Sequence, residues 1–367
     1  MNNSKLIKPL TSLRFLFALM VFLSHLDWVK NNKFEYLYSS YFKEGYLGVN
    51  FFFVLSGFIL ALNYKNKQIK INRFYISRIG RIYPVYIFAL FLILPLEIWY
   101  AKVDFYGWLN KILLSIFCLQ SFVPDKNYYF SFNWPAWSIS TEMFFYAIFP
   151  FLIKNNNKYL KTFFVLLSIL IIISLNFVEE STAHALFYIN PLFRIVDFYI
   201  GICLYDLFRN KKFTLSKLRW SFIEVFSIII FFVFFYFHSD INQGYRFSVY
   251  YWIPVSIIIY IFASSEGVIS YLLSNKLLIV LGEISFSFYL VHHTVMRYMR
   301  YLNEKYDFFH DNTLLAASIF ALSLLLSYAM YKLIEVPFNL AIRNFYNHKY
   351  ESSSTLTQPN ESGRQVL

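Results

Sequence analysis

Ten residues, nearly all apolar, separate Arg14 from His25 in the stretch RFLFALMVFLSH. A guanidinium and an imidazole bracketing such a run are costly in lipid unless each faces a partner or a cavity. On a helix, residues eleven apart return to nearly the same face, here about 16 Å apart along the axis. Arginine binds anions through a planar fork of donors. Histidine takes and releases a proton near neutral pH. The bland readings are that Arg14 snorkels to the helix end and that His25 sits at the interface.

Three further stretches carry chemistry. In NWPAWSISTEMFFYAIFP, Ser138, Glu142 and Tyr146 recur at i, i+4 and i+8, on one helix face. Glu142 is expected at a depth similar to His25. There a carboxylate would orient the imidazole and stabilise its cation, as a general base requires. The structural reading is a Glu142 paired with a basic residue. RFYISRIGRIYP supplies Arg73, Arg78 and Arg81, with the last two at helical spacing. Guanidinium forks suit phosphates, so a phosphorylated cofactor is the sharper reading of this cluster. LGEISFSFYLVHH aligns Gly282, Ser285, Tyr289 and His292 in one polar stripe, with His292 toward the outer end. His292 and the adjacent His293 point about 100° apart on a helix and make a poor chelating pair. With 7 scattered histidines, no metal site is expected. Arg194 and Asp197, at i and i+3, are expected to neutralise each other.

The elements that position these residues are membrane helices. The chain of 367 residues is 58% apolar and only 15% charged, and its apolar runs recur too often for a soluble all-α protein. The fold class read from this is an all-α polytopic membrane protein. Eleven apolar segments run over 10–28, 46–64, 82–100, 107–122, 137–153, 162–178, 185–206, 220–237, 248–263, 277–298 and 313–333. The fourth is short and contains Asn110 and Lys111.

The net charge of +12 does not imply nucleic acid, because the basic residues crowd into short loops. Most of the 33 lysines and arginines fall on one side if 107–122 does not cross. The positive-inside rule then predicts ten spans with both termini cytoplasmic, and 107–122 re-entrant or lying at the outer face. No cleavage site follows the first run, which reads as a retained anchor. Residues 1–345 read as one membrane domain and 346–367 as a polar, disordered tail. Cys118 and Cys203 form neither a disulfide framework nor a metal spacing. No internal repeat is evident.

Taken together, the motifs resemble acyltransferase family 3, the polytopic O-acyltransferases of bacterial surface polysaccharides. SLRFLFALMVFLSH resembles its arginine-to-histidine first helix at Arg14 and His25. FFFVLSGFIL resembles the second-helix signature at Ser56, Gly57 and Phe58. SRIGRIYP matches at Arg78, Arg81, Tyr83 and Pro84, and WSISTEMFFYAIFP at Trp137, Ser138, Glu142, Tyr146 and Pro150. LGEISFSFYLVHH matches at Gly282, Ser285, Tyr289 and His292, and YKLIEVP at Tyr331, Glu335 and Pro337. The order covers about residues 9–340. Thr294 stands where many members have proline. With no hydrolase-type domain after the last span, the chain resembles the stand-alone type.

The resemblance implies a CoA thioester donor, most often acetyl-CoA. It implies as acceptor a glycan or lipid-linked glycan hydroxyl of O-antigen, capsule or exopolysaccharide. It also implies a bacterial inner membrane. On this reading Arg78 and Arg81 hold CoA phosphates, and the pantetheine arm passes Arg14. His25 is the base and Glu142 its orienter. Trp137, Ser138, Tyr146, His292 and Ser56 contact substrate. Direct transfer is simplest; an acyl-His25 or acyl-Ser56 intermediate stays open. A glycan flippase or transporter is the rival class, and a scaffold of an export complex a third. A transporter of inverted repeats would show matching broken helices in its two halves, and none is read here.

Overall fold

The computed structural model describes residues 7–345 except 30, 31, 66, 155, 156, 211–214 and 343. The tail expected at 346–367 lies outside the described residues. Each of the eleven apolar segments forms a helix: α1 Lys8–Ser24, α2 Gly48–Tyr64, α3 Ile71–Val103, α4 Phe105–Ile116, α5 Trp137–Lys154, α6 Lys158–Ser174, α7 Pro191–Arg209, α8 Lys217–Tyr236, α9 Val249–Ser264, α10 Lys276–Tyr306 and α11 Asn312–Met330. No strand occurs among the described residues.

Local chemistry sets several helix starts. The side chains of Asp104, Asn157, Asn190, Ser216, Asn275 and Asp311 each accept from a backbone N–H of the first turn. α3 begins eleven residues before its apolar run. Arg73, Arg78 and Arg81 therefore sit on a rigid helix of 33 residues rather than on a loop. α10 runs unbroken through Thr294, so the missing proline leaves the helix intact.

Among the described residues, seven helical stretches are long and apolar enough to cross a membrane, beginning with Phe42–Tyr64 and ending with Asn312–Ile342. An eighth forms if Glu180–Ile189 and Pro191–Arg209, bent by 51° at their junction, count as one span. Ten requires α1 and α6 as well. Each has 17 residues, or about 25 Å at 1.5 Å per residue, against a hydrocarbon core of about 30 Å. α4 has 12 residues, about 18 Å, too short to cross. The chain turns back after it at Cys118, whose φ is 54°. Ser140 on α5 donates to the Cys118 carbonyl at 2.6 Å.

Two close crossings organise the bundle. α2 packs most extensively on α7, and α1 on α10. A Cβ at Gly57 would lie 1.9 Å from the Phe198 carbonyl oxygen, and one at Gly201 2.0 Å from that of Val54. A Cβ at Gly282 would lie 2.0 Å from the Thr11 carbonyl oxygen. Small residues let membrane helices approach this closely without a hydrophobic driving force between them. At the α2–α7 crossing Arg194 and Asp197 are fully buried, with Nε 3.3 Å from Oδ2. Arg194 also donates to Asn50 Oδ1 at 3.0 Å and to the Phe247 carbonyl at 2.7 Å. Trp252 donates to Asp197 at 2.7 Å. This pair is structural, as its spacing implied.

Gly282→Ala should force α1 and α10 apart and cost about 1–3 kcal/mol. Thermal unfolding in detergent should show a lower midpoint than wild type; an unchanged midpoint would mean that the crossing tolerates a methyl group.

Candidate active site

A cavity of about 1300 Å³ opens beside the α2–α3 loop at Lys67, Lys70 and Arg73. It runs past Arg81, Arg78 and Arg14 to Ser138 and Tyr289. The arginines line it because α3 and α1 present one face each to the gap beside α2 and α5. The Arg78 guanidinium lies 6.0 Å from the Tyr64 ring centroid and 5.9 Å from that of Tyr146. Its Nε is buried without a hydrogen-bond partner. Several guanidinium groups converging on one cavity are what an anionic ligand would satisfy.

Glu142 faces this cavity. It accepts hydrogen bonds from Tyr146 and, at 3.2 Å, from Ser56. Arg14 stands in the combined field of Arg81, Glu335, Glu142 and Tyr146. Glu335 is nearly buried and accepts from Ser287 at 3.2 Å. It follows α11 in a π-helical turn, Tyr331–Glu335. π-turns are rare and gather at functional sites. Sequence reasoning gave Glu335 no role. Its place in a motif was visible, but its approach to Arg14 and Arg81 depends on how α11 returns to the bundle.

The inner end of the cavity is a hydrogen-bonded contact. Ser138 Oγ donates to the Pro135 carbonyl at 2.9 Å and lies 2.8 Å from the Tyr289 hydroxyl. One turn beyond Tyr289, His292 is fully buried. Its Nε2 lies 2.9 Å from Nδ1 of His25. His293 is 5.7 Å from His25, ring to ring, and stacks on Trp134 at 5.0 Å.

Of the residues singled out in the sequence, Arg14, Ser56, Arg78, Arg81, Ser138, Glu142 and Tyr146 line one cavity. His25 and His292 form a separate pair just past its end. The expected neighbourhood of Glu142 and His25 is corrected. Glu142 lies one turn to one side of the Ser138–Tyr289 contact, and His292 one turn to the other. By helical rise that is about 10 Å. The imidazole partner of His25 is His292, and Glu142 serves Ser56 and Tyr146. Trp137 packs in the core, 4.7 Å from the Tyr188 ring and 6.1 Å from Phe53. Its side chain points away from the cavity, because its neighbour Ser138 occupies the cavity-facing position of α5. No group of three or more metal-ligating side chains suited to an ion occurs among the described residues.

Residues 8–332 match the acyltransferase domain model of acyltransferase family 3. The chain belongs to that family. Among curated relatives, the acyltransferase MdmB of Streptomyces mycarofaciens is 31% identical over 148 residues, 38% of this chain and 38% of that protein. A Staphylococcus aureus (strain COL) protein named "Putative O-acetyltransferase" is 25% identical over 328 residues, 80% of this chain and 52% of that protein. An acetyltransferase-named protein of Acidianus two-tailed virus is 26% identical over 260 residues, 69% of this chain and 74% of that one. The chain spans about half, or less, of the length of the first two. No solved structure matches it.

The cavity can be probed by thiol labelling in a Cys203→Ser background. Cys118 is buried. Ser56→Cys should react with a water-soluble maleimide, because Ser56 lines the cavity. Ser140→Cys, fully buried, should not. A Ser56→Cys variant as unreactive as Ser140→Cys would mean that the cavity is not water-filled.

Proposed function

We propose that this member of the family is a membrane O-acyltransferase that moves an acetyl group from acetyl-CoA to a sugar hydroxyl of a bacterial surface polysaccharide. One observation carries the reading. A cavity lined by Arg14, Arg73, Arg78 and Arg81 leads to a histidine pair one turn past its end.

The reading includes ten spans with both termini cytoplasmic in a bacterial inner membrane. The cavity mouth at Lys67, Lys70 and Arg73 then faces the compartment that holds CoA, and His25 lies toward the exported glycan. Arg78 and Arg81 hold the phosphates of CoA, and the pantetheine arm passes Arg14. Glu142 orders Ser56 and Tyr146 along the wall and offsets the arginine charge. The thioester reaches the histidines through the Ser138–Tyr289 contact. There His25 takes the proton of the sugar hydroxyl as the oxygen attacks the thioester carbonyl. A C–O bond forms and the C–S bond breaks. The proton passes from His25 to the leaving thiolate, so CoA departs as the free thiol. This direct transfer needs no metal ion and no acyl-enzyme.

The reading is tested with purified protein in detergent, supplied with labelled acetyl-CoA and a lipid-linked glycan fraction. Label should appear on the glycan, an outcome that no transporter gives without a membrane to cross. Arg78→Ala and Arg81→Ala should each weaken CoA binding about tenfold or more, the scale of a lost charged hydrogen bond. His25→Ala should abolish transfer and leave CoA binding intact. If the two arginine variants bind CoA like wild type, the phosphate role is wrong. A cysteine at Asn127 should be labelled only from outside the cell. Labelling from the cytoplasmic side alone would overturn both the ten-span topology and the outward placement of His25.

A further inference from the structure

His25 and His292 come from the first and tenth long helices, 267 residues apart, and meet at 2.9 Å. The hydrogen bonds around them determine where each proton sits. Nδ1 of His292 lies 3.1 Å from the backbone carbonyl of Phe288. A carbonyl oxygen can only accept, so this Nδ1 carries the hydrogen. In a neutral imidazole the other nitrogen is then a lone pair. His292 Nε2 is therefore an acceptor, and the atom facing it, His25 Nδ1, must be the donor. That leaves His25 with its lone pair on Nε2. Nε2 has no hydrogen-bond partner among the described residues and is not among the buried unpaired atoms, whereas Nδ1 of His293 is.

The surroundings keep His292 in this role. It is wholly buried. Its ring stacks on Phe288 at 5.8 Å and meets Phe22 edge-on at 5.9 Å and Tyr289 at 6.1 Å. A ring boxed by three aromatics and tied to its own helix cannot turn its nitrogens over without losing the Phe288 bond. His293 cannot take its place. It meets His25 edge-on and is stacked on Trp134.

We propose that His292 is the positioning residue of the site, a neutral imidazole that fixes the tautomer of His25 so that Nε2 is the free base. This deepens the transferase reading and rests on it for its purpose, but not for its geometry. A carboxylate would hold the same proton and add a negative charge. A neutral acceptor tied down by a backbone carbonyl selects the tautomer without bringing a second charge into the bundle. When His25 takes a proton on Nε2, its Nδ1–H still points at the His292 lone pair, so the imidazolium keeps one of its two donors satisfied.

The test uses the full-length protein in detergent with 15N-labelled histidine. The His25 resonances are identified by their loss in His25→Ala. In wild type at neutral pH, His25 should show a protonated Nδ1 and an unprotonated Nε2. His292→Leu, which offers no acceptor, should shift it to a mixture of tautomers. His292→Gln, whose side-chain oxygen can accept from Nδ1, should restore the wild-type pattern. In the transfer assay His292→Leu should lower kcat by the fraction of His25 left in the wrong tautomer, on the order of tenfold. Its affinity for CoA should stay at the wild-type value, and His292→Gln should recover most of the rate. A proton on Nε2 of His25 in wild type overturns the proposal whether or not the protein turns over. So does a His292→Gln variant as slow as His292→Leu when both melt like wild type. The stated tautomer in a protein that transfers no acetyl group would support the positioning role and overturn the transferase reading instead.

Discussion

Every polar side chain within an apolar bundle must find a partner or a cavity, because lipid supplies no hydrogen bonds. The fold meets that demand by bringing helices together more closely than large side chains permit. Gly57 and Gly201 let α2 and α7 touch along their backbones, and Gly282 does the same for α1 and α10. At the first crossing the approach assembles Asn50, Arg194, Asp197 and Trp252 into a buried network. The second pair of helices also carries, farther along, the contact of His25 with His292.

The buried charges divide into two kinds. Arg194 donates to the Phe247 carbonyl and Asn50 Oδ1 and pairs with Asp197, all within the protein. Glu44 is likewise satisfied, by Arg246 at 2.5 Å and Tyr251 at 2.6 Å. Such pairs are costly to break and say little about chemistry. Arg78 differs in its place: its Nε lacks a hydrogen-bond partner like those of Arg194 and Arg246, but of the three it alone lines the cavity. Lining a cavity thus separates site from scaffold better than charge alone.

The site itself has two parts in series. The arginines and Glu142 belong to the cavity, and the two histidines belong to the crossing of α1 and α10. Ser138 and Tyr289 stand between them. This separation suits a reaction whose donor is bulky and anionic while its reacting atom is small. On the proposed reading, recognition of the large part falls to the arginine-lined cavity and proton transfer to the hydrogen-bonded histidine pair.

Much of this was legible in the sequence. Apolar length and helix caps specify eleven helices, because each property is local to a segment of the chain. The spacing of Arg14, His25, Arg78, Arg81 and Glu142 marked them as groups that lipid would not tolerate unassisted. The pairing of Arg194 with Asp197 followed from a single helical turn. What the sequence could not specify were the contacts between helices. Side-chain periodicity says which face a residue occupies, not which neighbour that face meets. Glu142 and His25 are expected together from sequence because both fall at a similar depth toward the outer side of the membrane. The tertiary structure decided otherwise, since the rotation of α5 about its axis turns Glu142 toward Ser56 and the packing of α1 along α10 gives His25 to His292. Glu335 joined the arginines for the same kind of reason, by a π-turn whose position depends on packing rather than on residue type. Segment identity was set locally along the chain, whereas partner identity was set by close approach between helices far apart in it.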